Sequence, residues 1–157
     1  MPAPEGPGAP FPPTLFFVVA LGVALGLHDS QPLPIVPVPD AGWRTIAGTV
    51  LVAVGMGAFW WGMITFARAR TGIMLERPAR QLVDRGPYRY SRNPMYVGLV
   101  ATYAGIAALA NTLWPLLLLP VVIALFVTFV IRREERYLHA EFGDQYADYC
   151  QRVGRWL

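Results

Sequence analysis

The sequence predicts an all-α integral membrane protein: four transmembrane helices, a cytoplasmic connecting segment between the second and third, and short C-terminal helices. Three observations carry this expectation. Four apolar stretches, none with a charged side chain, approach the roughly 20 residues a helix needs to cross the hydrocarbon core. Only 15% of residues are charged, against about 25% in soluble domains. The basic residues flank apolar stretches, as topology-setting charges do. No stretch alternates in polarity as barrel strands do. The net charge of +3 alone would allow a nucleic-acid partner. Its distribution, without aromatic–basic repeats, excludes one. A chain of 157 residues suits one domain spanning 1–157.

The elements follow in order. Residues 1–10 are rich in proline and lack Lys and Arg, so no secretory signal is expected, only a disordered lead-in. The first span is Phe11 to Leu27 and the second Thr45 to Ala67. The third is Pro94 to Ala110 and the fourth Leu113 to Ile131. The connection through Asn111 and Thr112 forces an antiparallel hairpin, with Trp114 at the interface. Pro115 fits a first helical turn, and Pro120 should bend the fourth helix. Gly98, Ala101, Gly105 and Ala108 form a small-residue stripe. It can pack closely against another helix or open onto a substrate groove.

Arginine alone carries the positive charge. Seven lie between Arg68 and Arg92, five lie in the tail from Arg132, and Arg44 sits at the outer edge of the second span. The loop from His28 to Gly42 has none. The positive-inside rule then puts both termini and the 68–92 segment in the cytoplasm, in the inner (cell) membrane of a bacterium or archaeon. One cysteine, Cys150, excludes an intramolecular disulfide. Two distant histidines, His28 and His139, give no expected metal site.

Two segments carry more than topology. In the first, Gly86-Pro87 makes a turn, and Asn93-Pro94 reads as an N-cap followed by a first-turn proline. Free N–H groups at that helix start could receive an anion. In the second, Glu134 and Glu135 directly follow an apolar span. They are expected either to pair with Arg132, Arg133 and Arg136 or to hold a nucleoside-type ligand. Gly143 is a plausible helix stop and Asp144 a cap for the next helix. Tyr146, Tyr149, Cys150 and Val153 then share one face.

The strings Gly86-Pro87-Tyr88 and Ser91-Arg92-Asn93-Pro94-Met95-Tyr96-Val97-Gly98 resemble the G-x-Y…R-H-P-x-Y-x-G signature of the isoprenylcysteine carboxyl methyltransferase family. The Glu134-Glu135 pair, with Phe142-Gly143 and Tyr146…Tyr149…Val153, resembles that family's C-terminal signature. Related phospholipid N-methyltransferases share the plan. The motif-bearing half is 80–157. The resemblance implies an integral membrane methyltransferase that uses S-adenosyl-L-methionine. It implies donor contacts from Arg80, Gln81, Leu82, Val83, Tyr88, Asn93, Pro94, Met95, Tyr96, Glu134 and Glu135. Asn93 stands where the family usually has His. The family's acceptor-binding Arg corresponds to Val130, and Arg133 is expected to contact substrate instead. The implied partners are a lipophilic or lipidated acceptor entering from the bilayer, and membrane lipids. No catalytic base is assigned. The rivals are a phospholipid or small-thiol methyltransferase on the same scaffold, and a non-catalytic four-helix membrane protein.

Overall fold

The computed structural model describes residues 12–37, 42–69 and 82–157. The described residues form five helices: α1 Thr14–Ser30, α2 Gly42–Arg68, α3 Pro94–Leu109, α4 Trp114–Phe126 and α5 Arg132–Arg152. A 3-10 turn, Gly86–Arg89, precedes α3, and a π turn, Val127–Ile131, joins α4 to α5. No strand occurs among the described residues.

Among the described residues two helices, not four, are long and apolar enough to cross a membrane: α2, and the continuous rod from Trp114 through α5. The other two are apolar but short. At 1.5 Å per residue, the 17 residues of α1 and the 16 of α3 reach only about 24–26 Å, below the roughly 30 Å of hydrocarbon. The long helices are not the core of a soluble domain. Only 11% of the most apolar window of α2, and 28% of that of the α4–α5 rod, is buried. Val50, Val54, Trp60, Trp61, Val121 and Phe129 face outward. A surface of that kind suits lipid, not water.

The small-residue stripe is a packing device. A Cβ on Gly98 would lie 2.5 Å from the Gly55 carbonyl oxygen, and one on Gly105 would lie 2.8 Å from that of Gly48. Thus α3 lies backbone-to-backbone on α2, as small residues permit in membranes. This fills the face that could otherwise have formed a groove. The partner of the stripe is α2, whereas α3 meets α4 through Tyr96, whose ring packs edge-to-face on Phe126 at 4.7 Å, and at their shared turn. There Asn111 adopts φ 51°, a left-handed residue beyond the helix end, and the Thr112 N–H closes onto the Ala107 carbonyl at 3.1 Å. The Asn111 amide also exchanges two hydrogen bonds with Val36, of 3.0 and 3.1 Å.

Arg44 does more than mark the edge of the second span. It lies in the first turn of α2, only 7% exposed, and its guanidinium donates to the carbonyls of Ala108 and Leu109. Those carbonyls belong to the last turn of α3, where the i+4 donors of a helix are missing and Ala108 otherwise receives only the Asn111 N–H of the turn among the described loop bonds. The arginine therefore ties the start of α2 to the end of α3.

Helix α1 packs on α4 through Phe17 and Phe126, whose rings meet edge-to-face at 5.3 Å. Helix α4 runs through Pro120. A π turn follows a few residues later, at Val127–Ile131. That extra residue per turn places consecutive Val130 and Ile131 both in the core, at 2% and 0% exposure. Gly143 breaks α5 as expected, at φ 50°, ψ −124°, a backbone geometry that suits glycine. The arm beyond it folds back. Tyr146, Tyr149 and Val153 bury against Leu82, Leu138 and Phe142.

Candidate methyl-donor site

The 3-10 turn, the start of α3 and the start of α5 enclose a cavity of about 280 Å³. Leu82, Val83, Tyr88, Asn93, Pro94, Met95, Tyr96, Glu134 and Glu135 all line it. Two other residues expected at the site, Arg80 and Gln81, lie outside the described residues. Arg133 is exposed and is not part of this lining, so the structure does not bring it to the other residues.

Local folding explains how the lining is assembled. Gly86 starts the 3-10 turn at φ +61°, where a Cβ would strike Thr65 of α2 at 2.9 Å. Tyr88 is thereby tucked inward at 7% exposure. Pro94 starts α3 after Asn93, but Asn93 does not cap it with its side chain. Instead its amide donates to the Arg155 carbonyl at 3.0 Å. Ser91 takes up the Asn93 N–H through its hydroxyl oxygen at 3.0 Å. The Arg92 N–H donates to the Gly154 carbonyl at 2.9 Å. Asn93 thus latches the C-terminal arm over the site, a long-range role that its local context could not reveal.

The two adjacent glutamates diverge. The Glu134 carboxylate receives the Tyr96 hydroxyl at 2.7 Å. Burial pushes the Glu134 carboxyl up to about 7, the Tyr96 hydrogen bond pulls it partly back, and the neighbouring Glu135 pushes it up again. Glu135 instead takes a two-pronged contact from Arg155, at 2.9 and 2.7 Å, and a 3.2 Å ion pair from Arg92. Its ion-pair partners among the described residues are therefore Arg92 and Arg155, and not Arg132, Arg133 or Arg136. Arg92 also donates to the Cys150 sulfur at 2.8 Å. The Tyr88 hydroxyl is buried and has no hydrogen-bond partner among the described residues. Burial, with Tyr149 and Glu134 close by, raises its pKa, so it remains a neutral donor. The hydroxyl of Tyr149 is spent on the Tyr88 carbonyl at 2.7 Å.

Sequence reasoning missed the α2 wall of the cavity, made by Phe59, Met63 and Phe66. These read as ordinary apolar span residues. It also took Arg92 and Arg155 as topogenic. Their one available signal was that five carboxylates balance the five arginines of the tail. Tyr146 and Tyr149 were read as a packing face and also line the cavity.

Residues 43–145 match the family model described as phospholipid methyltransferase. That stretch includes α2, the whole motif around Tyr88 to Tyr96, and both glutamates. The chain belongs to this family. Phospholipid methyltransferase family members include the isoprenylcysteine carboxyl methyltransferase-related membrane methyltransferases, in agreement with the signatures in the sequence. Among curated relatives, the nickel-cobalt-cadmium resistance protein NccN of Alcaligenes xylosoxydans xylosoxydans is 27% identical over 129 residues, covering 71% of this chain and 60% of that protein. The cobalt-zinc-cadmium resistance protein CzcN of Cupriavidus metallidurans is 28% identical over 129 residues, covering 71% and 59%. An uncharacterized protein of Haemophilus influenzae is 44% identical over 68 residues, which is 40% of this chain and 100% of that one. The chain thus spans about three fifths of the length of the first two relatives. No solved structure matches it.

Proposed function

We propose that this membrane protein transfers a methyl group from S-adenosyl-L-methionine to a lipophilic acceptor, with both meeting in the 280 Å³ cavity. One observation carries the reading. A carboxylate, Glu134, and an unpartnered buried hydroxyl, Tyr88, face a mainly apolar cavity, and family motifs converge on it. Unsatisfied buried polar groups are uncommon and call for an explanation. A nucleoside-type cation would satisfy both.

The residues fit such a donor. Glu134 offers acceptors to ribose hydroxyls or an ammonium group. The aromatic faces of Tyr88, Tyr96 and Tyr146 suit a sulfonium. Arg92 is the cavity's cationic residue for a carboxylate. The bound donor would supply an electrophilic methyl group on a positively charged sulfur. What the chain must add is alignment and exclusion of water. Phe59, Met63 and Leu99 provide a dry wall. A carboxylate or thiolate acceptor needs no base. For an amine, Glu134, with a pKa near 7, is placed to take up the proton at a carboxylate oxygen.

The four-span arrangement with cytoplasmic termini and site belongs to this proposal. It rests on the arginine distribution and on the apolar character of the two shorter helices. The acceptor is proposed to resemble an isoprenylcysteine carboxylate, with phospholipid and small-thiol acceptors as alternatives. Mass analysis of products made with labelled donor distinguishes the three.

Calorimetry in detergent tests the site. Glu134→Gln is expected to weaken S-adenosyl-L-methionine binding by about a hundredfold or more, as loss of a charged hydrogen-bond acceptor does. Unchanged affinity would remove Glu134 from the donor site. No binding to the wild-type protein would favour a non-catalytic membrane role.

A further inference from the structure

A second groove lies across the Glu135 ion pair from the first cavity. It has a volume of about 630 Å³ and its lining includes Arg92, Thr128, Arg132, Glu135, Arg136 and His139. Thr128, Arg132, Arg136 and His139 follow one stripe of the α4–α5 rod. Three guanidinium groups face one carboxylate, and that carboxylate is already held in a fork by Arg155. Neither Arg132 nor Arg136 forms an ion pair among the described residues. The Nε of Arg92 is a buried donor with no acceptor there. The groove therefore carries surplus positive charge and an unused buried N–H.

We propose that this groove binds the phosphate of an anionic membrane phospholipid, a site distinct from the methyl-transfer cavity and independent of what that cavity holds. Guanidinium forks match phosphate oxygens in geometry and charge. The location selects a lipid over free phosphate. The groove begins at Thr128, inside the last apolar turn, beside Leu125 and Phe129, which are 45% and 59% exposed. A headgroup seated on Arg132 and Arg136 leaves its acyl chains against that apolar flank. A free phosphate would gain nothing from it. Basic pockets at the ends of spanning helices are suited to such headgroups.

The competing account is diffuse attraction, in which any surface arginine near the bilayer counts equally. The two differ in their dependence on position. Full-length protein is equilibrated with mixed micelles containing equal phosphatidylglycerol and phosphatidylcholine, and retained lipid is counted by native mass spectrometry. The wild type is expected to keep phosphatidylglycerol in preference. Arg132→Gln with Arg136→Gln should weaken that preference about thirtyfold, from about 1 kcal/mol per arginine. Arg89→Gln with Arg152→Gln, exposed and outside the groove, should leave it unchanged. Should the groove pair fail to insert, Arg136→Gln alone should cost about fivefold. Equal losses in both pairs, or no preference in the wild type, would overturn the site. Complete displacement of the lipid by millimolar inorganic phosphate would overturn the choice of a lipid.

Discussion

Glu134 and Glu135 are adjacent in sequence and belong to two different regions of the molecule. Around Glu134 the wall is apolar and aromatic, one tyrosine donates to the carboxylate, and no arginine is paired with it among the described residues. Around Glu135 two arginines, from before α3 and from the C-terminal arm, close a charged clasp. The first region keeps a carboxylate at a cost in stability and leaves polar capacity unspent. The second spends its capacity on holding the arm in place. One helical residue, a rotation of about 100° on a 3.6-residue turn, separates a site from its fastening.

The largest expected contrast comes from Glu134→Gln. Donor affinity should collapse while the donor-free protein gains stability, because an exposed, unfolded Glu134 ionises far more readily than the folded one. The folded carboxyl, near 7, sits above its ordinary 4.5. The folded state therefore holds the extra proton between those values, and stability falls as pH rises through that window. At pH 8 the whole penalty is present, of order 3 kcal/mol. At pH 5 little of it is. Unfolding temperature of the variant in detergent should thus exceed wild type at pH 8 and match it near pH 5. A variant less stable than wild type at pH 8 would place Glu134 with the fastening residues instead.

The Glu135 clasp should respond in the opposite sense. Glu135→Gln is expected to lower the unfolding temperature and to weaken donor binding less than about tenfold. A double-mutant cycle with Arg155→Met isolates the pair. Arg155 is 37% exposed at its side chain, so solvent screening limits the coupling to about 1 kcal/mol. Loss of donor binding with no loss of stability would make Glu135 a ligand contact, as the family resemblance implies.

How far the molecule could be read beforehand depended on the range of each interaction. Apolar spans, the Asn93-Pro94 start and the Gly143 break are local, and composition or backbone chemistry marks them. The gathering of Tyr88, Tyr96 and Glu134 was legible only because two motifs flank one hairpin. The α2–α3 seam was visible in principle. Gly48, Gly55 and Gly62 repeat every seven residues, as do Gly98 and Gly105, and such a repeat keeps one face aligned on two helices. Arg155 was not legible, since 20 residues separate it from Glu135 and no periodicity connects an irregular tail to a helix. The role of Arg44 was not legible, because the carbonyls it holds lie 64 and 65 residues away. Here the charge is buried because the carbonyls ending α3 need donors.

The finest test of the contrast is Tyr96→Phe, which removes one hydroxyl from the Glu134 region and leaves the clasp intact. The hydrogen bond from Tyr96 stabilises the ionised carboxylate and lowers its pKa. Without it, the carboxyl should titrate above about 7, by under about one unit for a single hydrogen bond. A cationic donor is held by the ionised form, so affinity should be high on the alkaline side and fall as pH drops through that titration. Deleting the hydroxyl should therefore move the midpoint of the affinity–pH curve upward. At alkaline pH, where Glu134 is ionised in both proteins, the two affinities should converge. A uniform loss at every pH, with the midpoint fixed, would show that the Tyr96 hydroxyl contacts the donor itself and does not act through the carboxylate.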